Sequence, residues 1–166
     1  MRRILNEKAL RLLNFKSPAT WVATWGGCGL IHPAPGTWGT LGAMPFGILL
    51  LMFGGVPALV IASIIIFPLG LWASKKFEGM VHEKDSGMIV IDEVVGVWIA
   101  LIPALLTPLS IGLAFVLFRF FDVIKPWPIS YFDKHFKGPF GVMIDDVIAG
   151  IFAAFVLIGL RYVGIG

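Results

Sequence analysis

Residues 41–74 read LGAMPFGILLLMFGGVPALVIASIIIFPLGLWAS. Two apolar stretches, Leu41–Phe53 and Ala58–Ser74, flank Gly54-Gly55-Val56-Pro57. Glycine and proline together punctuate regular structure, so the segment predicts two helical spans joined by a turn. No Asp, Glu, Lys or Arg occurs anywhere from Ser17 to Ser74. Two further uncharged tracts follow, Val94–Phe118 and Val147–Leu160. They predict spans over Val94–Leu106, Leu109–Phe121 and Val147–Leu160, with a turn at Thr107-Pro108. The whole chain of 166 residues is 58% hydrophobic and 14% charged, whereas soluble domains average about 45–50% and 25%. Its mean hydropathy is +0.91. The expected fold is all-α: a multi-pass transmembrane helical bundle of about five spans, forming one membrane-embedded domain over residues 1–166. Several spans fall short of the ~20 residues a bilayer crossing needs and are expected to be short or re-entrant, or to extend into the polar motifs beside them.

Other classes are excluded by composition. A low charge content with high apolar content argues against disorder. The pI of 9.2 reflects a net charge of only +3, and the basic residues form no stripe with interleaved stacking aromatics, so no nucleic-acid partner is expected. Cys28 is the single cysteine, which rules out an internal disulfide and any paired-cysteine metal site. It reads as a small buried hydrophobe.

Charge is confined to a few places. Residues 1–16 mix Arg2, Arg3, Glu7, Lys8, Arg11 and Lys16 with Ile4, Leu5, Leu12, Leu13 and Phe15. A cleavable signal needs an unbroken apolar core, so this segment is read instead as an amphipathic helix lying at the membrane surface. Gly26-Gly27, Pro33, Pro35-Gly36, Gly39 and Gly42, with Thr20, Thr24, His32, Thr37 and Thr40, predict a loop or re-entrant segment, which at that depth must be buried in protein or face water. With the N-terminus cytoplasmic, five spans put 12 of the 13 Lys and Arg residues inside and leave Arg161 outside, as the positive-inside rule requires.

Three polar clusters then lie on one face at headgroup depth. Pro35-Gly36-Thr37-Trp38-Gly39-Thr40 offers backbone N–H groups and hydroxyls, led into a helix at Leu41, that can cradle a phosphate. Asp92-Glu93 stands where an apolar span begins, an expensive place for two acids unless cations pair with them. Asp145-Asp146 repeats the pattern at the next such boundary. Gly96, Ala149 and Gly150 follow these acids at four-residue spacing and permit close helix packing. Four carboxylates at one depth repel unless a divalent ion joins them, and an all-oxygen set favours Mg²⁺. Such an ion can bind a phosphate and activate water. Arg119, Asp122 and Lys125, at i, i+3 and i+6, share a helical face. They read as an ion-pair ladder, or with Lys84 as holders of phosphate oxygens. His82 is a candidate acid or base.

Taken together, the motifs resemble the phosphatidylglycerophosphatase A family. The resemblance rests on Pro35-Gly36-Thr37-x-Gly39-Thr40, Asp85-x-x-x-Ile89-Val90-x-Asp92-Glu93-x-x-Gly96, Phe118-Arg119-x-x-Asp122-x-x-Lys125-Pro126-x-Pro128-Ile129 and Gly141-x-Met143-Ile144-Asp145-Asp146-x-x-Ala149-Gly150. It covers about Gly26 to Gly150. It implies a Mg²⁺-dependent phosphatase of the bacterial inner membrane, with its active site facing the cytoplasm. Members convert phosphatidylglycerophosphate to phosphatidylglycerol and inorganic phosphate. On that resemblance Asp92, Glu93, Asp145 and Asp146 form the metal and base set, with Asp122 beside them as a catalytic carboxylate. Arg119, Lys125, Thr37, Thr40, His82 and Asp85 form the substrate-binding set. Lys84, where some relatives carry histidine, and Ser86, where many carry proline, depart from the pattern. Direct attack by water is expected, with a phospho-aspartate as the competing route.

Three other readings fit less well. A CDP-alcohol phosphatidyltransferase requires D-G-x-x-A-R followed by D-x-x-x-D, which is absent, and a haloacid-type phosphatase requires D-x-D, also absent. A small cation transporter places its carboxylates near mid-membrane on broken helices, whereas these acids lie at span ends.

Overall fold

The computed structural model describes residues 10–165. Every regular element among them is helical: α1 (Pro18–Ala23), a 3-10 turn (Cys28–Leu30), α2 (Pro35–Val81), α3 (Ile91–Leu101), α4 (Pro108–Ile124), α5 (Ile129–His135) and α6 (Pro139–Tyr162). Most of the expected surface helix lies outside the described residues; residues 10–12 are helical.

α2 is not straight. Gly55 adopts φ 64° and ψ −165° within it, a conformation open to glycine because it lacks a Cβ. A Cβ added at Gly39 would meet Val90, and one added at Gly70 would meet Ile91 and Met143. A continuous helix would hold Gly39 and Gly70 about 46 Å apart at 1.5 Å per residue, yet both pack beside the start of α3. α2 therefore doubles back at Gly55 as two arms, 35–54 and 56–81. The two expected spans lie one in each arm, and the break falls in the expected turn. Both arms also run on into the flanking polar sequence.

α3 is the central element. Val94, Val95, Gly96, Val97, Trp98, Ala100 and Leu101 are all buried, the signature of a helix apolar all round. It packs mainly against α2 and α6, and Trp98 Nε1 donates to the Ala43 carbonyl at 3.0 Å. Its 11 residues span about 16 Å, well short of a ~30 Å hydrocarbon core. The span expected to reach Leu106 thus ends as a helix at Leu101. Pro103 has no N–H with which to continue it. The Arg161 guanidinium, from the end of α6, donates to the Pro103 carbonyl. The chain then turns until Thr107 caps α4, its Oγ1 accepting from the Ser110 N–H at 3.2 Å with Pro108 in the first turn, a standard helix start.

The five helical segments alternate in direction. The start of α2, the end of its second arm, the start of α3, the end of α4 and the first turns of α6 share one end of the molecule. Gly55, Pro103 and Arg161 lie towards the other. The most apolar window of α2 is only 11% buried within the protein, against 44% for α6, and both helices are long and apolar enough to cross a membrane. Phe53, Ile64, Ile65 and Phe155 stand exposed on this exterior. Leaving such area in water costs about 25 cal/mol per Å², a cost that hydrocarbon surroundings remove.

Candidate active site

Glycine contacts bring the acids together. A Cβ at Gly150 would strike the Gly96 carbonyl, and one at Gly96 would meet the Phe118 ring and the Asp146 carbonyl. Bare backbone at these two positions lets α6 and α4 close on α3. The turn bearing Asp92 and Glu93 is thereby pressed against the turn bearing Asp145 and Asp146.

Asp92, Glu93 and Asp146 converge, each offering a carboxylate oxygen within 4.8 Å of the others. Asp92 and Asp146 are buried. Asp92 Oδ1, Glu93 Oε2 and Asp146 Oδ2 are buried oxygens that accept no hydrogen bond within the protein. Unpartnered buried carboxylate oxygens are costly. Three converging carboxylates, each with such an oxygen, form a donor set suited to a hard divalent cation. The residues present therefore fit such an ion, and they are three of the four acids expected to hold it.

The fourth, Asp145, is also buried but turns to Lys125, whose Nζ donates to Asp145 Oδ2 and, at 3.0 Å, to Asp133 Oδ1. Lys125 follows α4 with φ 46°. This left-handed turn takes it out of the helical ladder and away from Asp122, its neighbour in the i, i+3, i+6 pattern. Burial works against its charge, but Asp145, Asp133 and Asp146 outweigh that and hold its pKa above the usual lysine value. Asp133 is partly buried, which would raise its pKa. Lys125, helped by Lys137 and Lys134, holds it below the usual carboxylate range.

Arg119 is the other cation of the cluster. Its Nη1 lies 2.5 Å from Asp122 Oδ2 and 3.8 Å from Glu93 Oε1, and donates to Thr40 Oγ1 at 3.4 Å. It ties α2, α3 and α4 together behind the acids. The segment Pro35–Thr40, expected as a phosphate-cradling loop leading into a helix at Leu41, is instead the opening of α2, with Pro35 in its first turn. Thr40 Oγ1 donates to the Gly36 carbonyl at 2.8 Å. A Cβ at Gly36 would collide with the Glu93 carboxylate and crowd Arg119. The glycines of this motif thus serve close helix approach, which is why they lie inside a helix.

A cavity of about 240 Å³ opens beside the acids. Asp85, Asp92, Glu93, Asp122, Lys125, Asp145 and Asp146 line it, together with Asp133, Phe136 and Lys137. Arg119, Thr40, Thr37 and His82 do not. Thr37 is half-buried in the first turn of α2, and His82 is exposed just after α2. Asp133 and Lys137 were missed by sequence reasoning. They lie around α5, a short polar segment that reads as a connecting turn. The available signal was an acid set among Lys134, His135 and Lys137 directly after a Lys-Pro-x-Pro turn.

The family model for phosphatidylglycerophosphatase A matches residues 21–161. The chain belongs to the phosphatidylglycerophosphatase A family. Its relatives include the phosphatidylglycerophosphatase A of Haemophilus influenzae, 43% identical over 155 residues, covering 92% of this chain and 94% of that one. The phosphatidylglycerophosphatase A of Escherichia coli is 33% identical over 148 residues, covering 87% and 84%. No solved structure matches the chain significantly. Membership of this family makes the chain a phosphatase, and every acid of the cavity lies within the matched segment.

Proposed function

We propose that this chain removes the terminal phosphate of phosphatidylglycerophosphate, releasing phosphatidylglycerol and inorganic phosphate. Mg²⁺ is the cofactor, and the site faces the cytoplasm from a multi-pass fold in a bacterial inner membrane. The observation that carries the proposal is the convergence of the Asp92, Glu93 and Asp146 carboxylates, each of which keeps a buried oxygen that no donor partners. Seven acidic side chains and two lysines line the cavity. A dianionic phosphate cannot enter such a field unless a cation offsets it. Asp92, Glu93 and Asp146 would hold that cation. When bound, it supplies charge neutralisation and Lewis-acid polarisation of a phosphoryl oxygen.

The chain's own residues do the rest. Lys125 has three N–H donors, of which two are taken by Asp145 and Asp133, so one remains to grip a phosphate oxygen. These bonds hold the Asp145 side chain fixed at the cavity wall. Arg119 keeps Glu93 and Asp122 in place and acts as a strut. In the reaction the oxygen of water bonds to phosphorus while the bond from phosphorus to the glycerol oxygen breaks. A carboxylate of the cavity takes the proton from water, and the departing glycerol oxygen gains one. The products balance as an alcohol and inorganic phosphate.

Placement on the cytoplasmic side is supported by where charge falls. The acids, Lys125 and Lys137 share one end of the helices, and Arg161 lies at the other. The direct test is release of inorganic phosphate from phosphatidylglycerophosphate micelles by purified protein supplied with Mg²⁺. Steady release supports the proposal. No release with any divalent cation overturns it.

A further inference from the structure

Phosphatidylglycerophosphate carries two phosphates, the terminal monoester that is removed and an internal phosphodiester that joins the headgroup to the acylated glycerol. The cavity presents two lysines, and they are placed differently. Lys125 is committed to Asp145 and Asp133 beside the buried acids. Lys137 is exposed at the mouth. Its Nζ donates to the backbone carbonyl of Asp133 at 2.7 Å, and among the described residues it forms no ion pair. Donors on an ammonium number three, so Lys137 faces the cavity with spare N–H groups and a charge that no carboxylate bonds.

Asp133 joins the two lysines, accepting from Lys125 with its side chain and from Lys137 with its backbone. Asp133 thus lies between the two cations of the cavity, Lys125 part-buried against Asp145 and Lys137 exposed. In the function proposed above, the mouth lies at the membrane interface. Trp127 and Tyr131, in the segment leading to it, are exposed at 80% and 49%, and Phe136, which lines the cavity, packs against the exposed Phe140. Exposed aromatic rings of this kind sit at headgroup depth. A lipid anchored by its acyl chains and extended into the cavity presents its diester at the mouth and its monoester at the acids.

We propose that Lys137 engages the internal phosphodiester of the lipid substrate, and so favours a two-phosphate headgroup over a lipid whose only phosphate is the one removed. This rests on the function proposed above and names a specificity determinant for it. A charge-assisted hydrogen bond of this kind is the stronger sort, and its loss is expected to weaken binding about tenfold.

The test measures hydrolysis of phosphatidylglycerophosphate by the wild type, Lys137→Ala and Lys137→Arg. It also measures inhibition by inorganic phosphate, which has no diester. Lys137→Ala is expected to raise KM about tenfold, leave kcat within about twofold and leave the inhibition constant for inorganic phosphate unchanged. Lys137→Arg is expected to restore KM. An unchanged KM in Lys137→Ala overturns the inference. So does a parallel weakening of inorganic phosphate, which would put Lys137 on the monoester. A wild-type protein that releases no phosphate from this lipid overturns the proposed function itself, a result separate from either of those.

Discussion

Asp92, Glu93 and Asp146 each keep one buried oxygen without a hydrogen-bond donor, while Asp122 and Asp145 are both paired with cations. This division among acids of one cavity gives them different chemistry. If the unpartnered three hold the metal, Asp92→Asn or Asp146→Asn should cut phosphate release at least about a hundredfold, since even groups that only orient metal ligands cost roughly 10–100-fold. The amide is nearly isosteric, so the protein should still insert and purify normally; activity within twofold of wild type would remove that residue from the set. Lys125→Ala should act differently. It removes a phosphate donor and leaves Asp145 without its cation, so KM is expected to rise by about tenfold, and the inhibition constant for inorganic phosphate with it. Unchanged values would assign Lys125 to structure alone.

At the level of elements, the contact of α3 with α6 sets the site. Gly150→Ala would place a methyl group against the Gly96 carbonyl, and backbone cannot yield as a flexible side chain can. Overpacking of this kind typically costs about 1–3 kcal/mol, so a lower unfolding temperature in detergent is expected, together with reduced activity as the two acid-bearing turns separate. A variant with wild-type stability and activity would show that the contact does not position the site. Much of this level was legible in the sequence. Uninterrupted loss of charge marked the helices, Gly54-Gly55-Val56-Pro57 marked the reversal, and the acids at span starts marked the site. The misreadings have physical causes. Pro35–Thr40 carries two glycines and reads as a loop by local propensity, yet it is helical because Glu93, Arg119 and Val90 press against it. α3 stops at Leu101, short of the end of its apolar run, because hydropathy does not register a helix end. Asp133 and Lys137 act through α5, whose short polar sequence has no periodicity to reveal which face meets the cavity.

Over the whole molecule, five helical segments alternate in direction and gather the cavity at one end. That arrangement predicts sidedness. In a Cys28→Ala background, Gly138→Cys should react with a membrane-impermeant thiol reagent only in inside-out vesicles, and Gly54→Cys only in right-side-out ones. Labelling of both from the same side would contradict the proposed topology. The exposed apolar flank of α2 and the acid-rich end belong to one bundle; in the proposed function the flank meets hydrocarbon and the acid-lined cavity lies at headgroup depth.

The central claim is that three buried carboxylates become a phosphatase site when a divalent cation joins them. It is tested most directly by the rate of phosphate release from phosphatidylglycerophosphate after EDTA treatment, followed by back-titration with Mg²⁺, for wild type and Asp146→Asn in parallel. The predicted result is loss of wild-type activity to background in EDTA, recovery on adding Mg²⁺, and no recovery in Asp146→Asn. An undiminished rate in EDTA would contradict the claim.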